Sequence, residues 1–212
     1  MTEGLRERKK RKTRRHLSDV AIGLFVDRGF DQVTIAEIAA AAEVSVNTLY
    51  NYFTAKEDLV LPPEEASPQR LADIVRERAP GVSAVRAVLG RLREEVRGRE
   101  RSLGLTAGFG QVLEMMLAAP TLRARLEELG RQMTDALADA LAEETGAEPG
   151  DLLPRAVAWQ IGCLHSLVYA EVGRRVAAGQ GPDAIAEAVL ELLDVTEGLL
   201  GEPLLTYAVR EG

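Results

Sequence analysis

Residues 34–59 read TIAEIAAAAEVSVNTLYNYFTAKEDL. Thr34-x-x-Glu37 has the spacing of a capping box, in which the threonine oxygen takes a first-turn amide and the glutamate reaches back to the cap. Ile35, Ile38 and Ala39 then give a short helix one apolar face. Glu43-Val44 makes a turn, and Ser45 is a good N-cap for a further helix ending near Phe53. Thr54-x-x-Glu57 repeats the capping-box spacing and opens a fourth helix. Start signals this closely spaced predict short helices joined by tight turns, the profile of a helix-turn-helix.

Upstream, Leu17, Val20, Ala21, Leu24 and Phe25 mark the buried stripe of a helix over about 8–28. Gly29 follows it, as a left-handed cap requires. Downstream, Pro62-Pro63 stops the fourth helix, because a residue before proline avoids helical angles. Ser67-Pro68 restarts the chain, and helices are expected near 68–78, 83–99, 103–118, 121–145, 151–178 and 183–200. No stretch alternates as a half-buried strand does. The expected fold is all-α: an N-terminal helix-turn-helix domain over 1–61, and a second helical domain over 62–212, to which the resemblance described below adds DNA binding for the first and effector binding and dimerisation for the second.

The whole chain of 212 residues carries a net charge of −7, but the charge is unevenly placed. Eight basic residues fall between Arg6 and Arg15, and every lysine lies at or before Lys56. A basic arm on an acidic body points to a polyanion at one end. The arm can lie along phosphates or dip into a minor groove, with Arg14 and Arg15 nearest the folded part. A solubilising tail is the plainer reading of the same residues.

At 100° per residue, Leu49 and Phe53 share one face of the third helix, and Asn47 and Asn51 sit roughly 160° away. Thr48 and Tyr52 flank that outward face on one side, Val46 and Tyr50 on the other. A surface helix usually shows Lys, Glu and Gln; this one shows amides, hydroxyls and phenols. An asparagine amide can pair with N6 and N7 of adenine, which is worth ~1–3 kcal/mol of discrimination. Thr48, Tyr52 and Lys56 can hold phosphates, and Thr34 places the second helix's N-terminal amides where another can bind.

As a set, Gly29-Phe30, Thr34, Ile38-Ala39, Val44-Ser45, Thr48-Leu49-Tyr50, Tyr52-Phe53 and Lys56-Glu57-Asp58-Leu59 resemble the N-terminal domain of tetracycline-repressor-type (TetR) transcription regulators. The resemblance covers residues 15–60. It implies a homodimer that places its third helices in the major groove of a palindromic operator and releases it when a small effector binds the C-terminal domain. Carried over, Val46, Asn47, Tyr50 and Asn51 face bases; Thr34, Ser45, Thr48, Tyr52 and Lys56 face the backbone. Two departures stand out. Glu43 occupies a turn position usually given to glycine, so the turn is expected to tolerate a side chain. Asn47 stands where many relatives carry a small or basic residue.

In the second domain, Ala158, Gly162, Ser166 and Ala170 form a stripe of small residues that lets helices approach. With the last helix, carrying Ile185, Val189, Leu192 and Leu193, they are expected to form a four-helix dimer interface; an intrachain hairpin is the alternative. Phe109, Met115, Met116, Met133, Trp159, His165 and Tyr169 are candidates to line an effector pocket, although each alone reads more readily as core. Prolines 62, 63 and 68 interrupt the fourth helix, so coupling between effector and DNA is expected to run through the 103–118 segment instead.

No cofactor or metal is expected. Cys163 and His165 lie about 200° apart on their helix and cannot form a nucleophile–base pair. The two histidines have no metal-ligand spacing around them, which argues against an enzyme. One cysteine, a basic N-terminus with no apolar run behind it and no stretch of ~20 apolar residues together suggest a soluble cytoplasmic protein without a membrane span. A helical protein-interaction adaptor is the competing class, but it leaves the amide-rich face without a purpose.

Overall fold

The structure is a computed structural model describing residues 5–61, 66–106 and 108–211, with side chains from residue 8 onward. Among the described residues all regular structure is helical: α1 (Leu5–Arg28), α2 (Ile35–Ala41), α3 (Val46–Tyr50), α4 (Arg70–Glu77), α5 (Ala84–Gly98), α6 (Phe109–Ala118), α7 (Pro120–Thr145), α8 (Leu153–Ala177), α9 (Pro182–Leu199) and α10 (Glu202–Leu205). Among those residues no helix is long and apolar enough to cross a membrane. The chain divides into two compact units, residues 1–66 with 111–125, and residues 67–110 with 126–212. Segment 111–125, which chain order alone assigns to the second domain, thus belongs with the first unit.

The first unit is built on Leu17, Ala21 and Phe25 of α1, Ile38 and Ala39 of α2, and Leu49 and Phe53, all of them buried. Met115, Met116, Ala119 and Leu122 complete the same core. Burying a Leu or Phe side chain contributes about 1.5–3 kcal/mol, so these few side chains hold the two short helices α2 and α3, which would not be stable alone, against α1. Thr34 forms the expected capping box: its Oγ1 accepts from the Glu37 amide (3.3 Å), and its own amide donates to Glu37 Oε2 (2.8 Å). Those bonds and Arg28 at 2.7 Å hold the Glu37 carboxyl down at about 2. Ser45 caps α3 through the Thr48 amide (3.0 Å).

The turn between α2 and α3 keeps the backbone angle that favours glycine, with Glu43 at φ 55°. It does not relax to suit a side chain, because the Val44 amide must reach the Ala39 carbonyl (2.9 Å) to close the turn. A left-handed residue other than glycine costs roughly 1–2 kcal/mol, partly offset by glycine's greater freedom when unfolded. Glu43→Gly is therefore expected to stabilise the first unit by about 0.5–1 kcal/mol in urea unfolding, and a loss of stability would contradict the strain.

The fourth helix reduces to a 3₁₀ turn, Glu57–Leu59. The acceptor that meets Thr54 is Asp58 rather than Glu57: the Asp58 carboxylate accepts from Thr54 Oγ1 (2.7 Å) and the Ala55 amide (3.0 Å), with Arg125 at 3.7 Å. Asp58 is buried, so its oxygens must find donors inside, which fixes it as the acceptor. Pro62 and Pro63, expected to stop this helix, lie outside the described residues.

In the second unit α5 packs on α4, α8, α9 and α10, and α8 on α9. The helix expected over 103–118 instead begins at Phe109, after a 3₁₀ turn at Arg101–Leu103. Gly104 is the break, at φ 75°, and the Phe109 ring covers it so closely that an added Cβ would lie 2.3 Å away. Arg78 is buried and ties the C-terminal tail to α4 and α7. Its guanidinium donates to the carbonyls of Val75, Val82 and Ala208 and pairs with Glu144. Backbone bonds from Gly81 to Arg210 (2.9 Å) and from Arg210 to Val82 (3.1 Å) secure the same tail.

Candidate nucleic-acid interface

On α3, the face opposite Leu49 and Phe53 is open. Val46, Asn47, Tyr50 and Asn51 are all exposed, Tyr50 by 52%, while Leu49 is fully buried. Asn51 serves as the C-cap, its amide bonded back to Asn47 and Thr48, so its side chain stays outside the helix's own hydrogen bonding. The four residues expected at bases therefore form one uncharged polar ridge.

The residues expected at the DNA backbone are less uniform. Arg15 and Ser45 are exposed, and Ser45 and Thr48 share a hydroxyl hydrogen bond of 2.8 Å. Tyr52 is half-buried against the core. Arg14 is committed to the fold: it donates to the Tyr52 carbonyl (3.1 Å) and lies 5.8 Å over the Phe53 ring. Lys56 donates to the Phe30 carbonyl (2.5 Å) and sits 4.4 Å over the Phe30 ring, tying the end of the motif to the loop after α1. An ammonium has three donors, so that contact does not exhaust it. At Thr34 the Glu37 carboxylate already occupies the cap amide, which opposes a phosphate there. Sequence spacing showed these cations near the motif but not the carbonyls they reach, which come from segments 26 and 38 residues away.

The seven candidate pocket residues are divided between the two units. Met115 and Met116 are core of the first unit, Met133 is buried in α7, Phe109 covers Gly104, and Trp159 is half-exposed on the outer side of α8. His165 and Tyr169 do meet, their rings 4.8 Å apart. Beside them the buried Glu95 accepts from Arg70 (2.6 Å) and from the exposed Arg91 (2.8 Å). Arg70 Nε and His165 Nε2 are buried without a hydrogen-bond partner among the described residues. Burial, and then the charge of Arg70, pushes His165 down to about 4. A base whose folded value lies below its ordinary 6.5 favours the fold above that value and loses the contribution as pH falls toward 4. Denaturant midpoints followed from pH 7 to 4 are expected to fall less steeply in His165→Gln than in the parent, and equal slopes would remove His165 from the effect.

Of the residues expected at a dimer interface, Ala158, Ile185, Val189 and Leu193 are buried within the single chain, and Leu192 is half-buried. A Cβ on Gly162 would lie 2.5 Å from Thr134 Oγ1, so the small-residue stripe in part admits α7. Only Ser166 and Ala170 of the set face outward. They join Trp159, Cys163 and Leu167 on α8, and α9 shows Val195 and Leu199. The hydrophobic pattern told these helices apart from solvated ones; it could not say which of two apolar faces meets the chain's own core.

A short capped helix with an exposed uncharged face, held by a small core in a chain that also carries a separate helical unit, is the arrangement of a helix-turn-helix DNA-binding regulator. The family comparisons agree. A family model described as "Bacterial regulatory proteins, tetR family" matches residues 17–61, and one described as "MftR C-terminal domain" matches residues 82–197. The chain is 30% identical over 183 residues to the HTH-type transcriptional regulator TcmR of Streptomyces glaucescens, covering 82% of this chain and 75% of that protein. It is 29% identical over 160 residues to the putative mycofactocin biosynthesis transcriptional regulator MftR of Mycobacterium tuberculosis, covering 72% and 75%. The fold is that of NalD, the secondary repressor of the MexAB-OprM multidrug efflux pump in Pseudomonas aeruginosa, at a TM-score of 0.54 and 20% identity over 91% of this chain and 99% of that one. The chain belongs to the TetR family of DNA-binding transcriptional regulators and is not an enzyme.

Proposed function

We propose that this regulator is a homodimeric repressor that reads a palindromic operator and leaves it when a small molecule binds the second unit. The observation that carries the reading is the exposed ridge of Val46, Asn47, Tyr50 and Asn51 on a helix whose other face is fully buried. Arg15, Ser45, Thr48, Tyr52 and Lys56 border it and set its register on phosphates. The outer faces of α8 and α9 supply the dimer contact, and two ridges about 34–36 Å apart then meet successive major grooves. Binding to DNA places the protein in the cytoplasm.

The effector site is assigned to the group formed by His165, Tyr169, Arg70 and Glu95, where buried polar atoms still lack partners. Coupling is assigned to α6 and α7. Met115, Met116 and Leu122 belong to the DNA-binding core, while α7 itself continues to Thr145 in the second unit. An effector shifts DNA affinity only to the extent that it binds one arrangement of such shared helices better than another.

Selection of DNA fragments by the purified protein tests the central claim. A palindromic consensus is expected, and Asn51→Ala should relax preference at one or two base pairs, with ~1–3 kcal/mol lost at each. An unchanged preference would reject the ridge as the reader. Cross-linking Cys163 between copies with a short bis-maleimide tests the dimer, and no cross-linked species would move the contact elsewhere.

A further inference from the structure

Where α4, α5 and α8 meet in the second unit, a small polar group is buried that packing alone does not complete. Arg70 opens α4, Arg91 and Glu95 lie one turn apart on α5, and His165 and Tyr169 lie one turn apart on α8. Glu95 is 5% exposed and has both oxygens engaged: Oε2 accepts from Arg70 Nη2 and Oε1 from Arg91 Nε. Arg70 Nε and His165 Nε2 are buried and, among the described residues, make no hydrogen bond. The charge that acts on His165 is that of Arg70, of the sign that repels a proton.

These two nitrogens set the chemistry of what can join them. Buried polar atoms nearly all find a partner, so two lacking one in the same place point to a ligand that supplies it. A guanidinium only donates, which turns away amines and other groups that only donate. A neutral imidazole carries one N–H and can present it on Nε2. A carboxylate offers an oxygen to each nitrogen, and its hydrogen bonds to a guanidinium are roughly twice as strong as those of a neutral carbonyl. Arg70 and Arg91 share the single Glu95 carboxylate; Arg91 is 55% exposed to water, whereas Arg70 is only 17% exposed. One negative charge balances that excess, while a phosphate dianion overshoots it and gives up more hydration. The rings of His165 and Tyr169, 4.8 Å apart and half-buried, offer apolar surface to the rest of the molecule.

We propose that the Arg70–His165 group is an anion subsite that takes the carboxylate of an organic acid, one oxygen on Arg70 Nε and the other on His165 Nε2. The proposal rests on the effector site assigned above and adds the chemical class of the effector, a monocarboxylate whose hydrocarbon part lies against the two rings. Glu95 is a positioning residue: it holds Arg70 through Nη2 and leaves Nε for the ligand.

The test uses the full-length protein and two acid–amide pairs, benzoate with benzamide and hexanoate with hexanamide. The chain has two histidines, His16 and His165, so the ring signals of histidine-labelled protein report on the group and carry their own control. At least one acid is expected to shift the His165 signals while leaving those of His16 in place, and to bind about tenfold or more tighter than its amide. Arg70→Gln should bring acid and amide within about threefold of each other, with Arg91 still holding Glu95. The acid–amide comparison in the unmutated protein stands even if that variant fails to fold. An amide as tight as its acid would overturn the subsite, as would an acid preference that survives Arg70→Gln. Two acids that leave His165 unmoved at millimolar concentration would overturn it as well. An acid that binds here while the selected operator stays held at full affinity would uphold the subsite and defeat only the effector reading. Operator release by an acid that His165 does not register would do the opposite.

Discussion

Placing charge on the outer faces of α8 and α9, with Leu167→Glu and Val195→Glu together, is expected to give a folded monomer whose operator affinity is about 10²–10⁴-fold lower. Leu167 and Val195 are 42% and 56% exposed in the single chain, so a carboxylate at either costs the monomer little. In a paired interface the same carboxylates lose water without gaining partners. Affinity falls because the second half-site is bound at high effective concentration only while the two reading helices are joined. Sedimentation and anisotropy with the selected operator check both parts. Trp159, the chain's one tryptophan and half-exposed on the same side of α8, should shift its emission to the red as the contact opens. A variant that stays dimeric with full affinity would place the interface on another face. Val189→Glu is the informative contrast: Val189 is fully buried within the chain, so its charge should unfold the unit rather than separate two copies.

The second large effect belongs to Phe53→Ala, which is expected to cost the DNA-binding unit about 3–5 kcal/mol. Phe53 is 1% exposed, packs in the core with Leu49, and carries the Arg14 guanidinium over its ring. Removing the ring leaves a cavity under the end of the reading helix and strips a contact from Arg14. Small units have only ~5–15 kcal/mol of stability, so a loss of this size leaves a substantial fraction unfolded near body temperature. Calorimetry should show melting that begins well below that of the parent, with operator binding lost and the dimer retained. An unchanged melting profile would mean that α3 is held by something other than this core.

These two outcomes fall on opposite sides of what the sequence makes legible. Local chemistry is written into neighbouring residues, which is why the Thr34 capping box, the Ser45 cap and the left-handed Gly29 all appear where spacing places them. The long helices follow for the same reason. Spans expected at 83–99, 121–145, 151–178 and 183–200 are found at Ala84–Gly98, Pro120–Thr145, Leu153–Ala177 and Pro182–Leu199. The exposure of the α3 ridge was legible too, since a short amphipathic helix with Leu49 and Phe53 inward leaves Asn47 and Asn51 only one direction.

Choices among near-equivalent partners were not legible. Glu57 and Asp58 both sit near Thr54, and only burial selects Asp58. Arg14 and Lys56 read as free cations until the carbonyls of Tyr52 and Phe30 are brought beside them. Met115 and Met116 look like filler for a distant pocket, yet they finish the core of the DNA-binding unit. On α8 and α9 both faces are apolar enough to bury, and the sequence assigned Ile185 and Val189 to a partner when the chain uses them itself.

The sequence by itself determined the helices, their caps and the uncharged ridge, because each depends on interactions within a few residues along the chain. The tertiary structure alone decided which apolar face remains outward, where the cations are tied and which core the segment 111–125 completes. Those outcomes depend on which distant surfaces compete for the same contact, and hydrophobic burial has no direction written in the residue that seeks it.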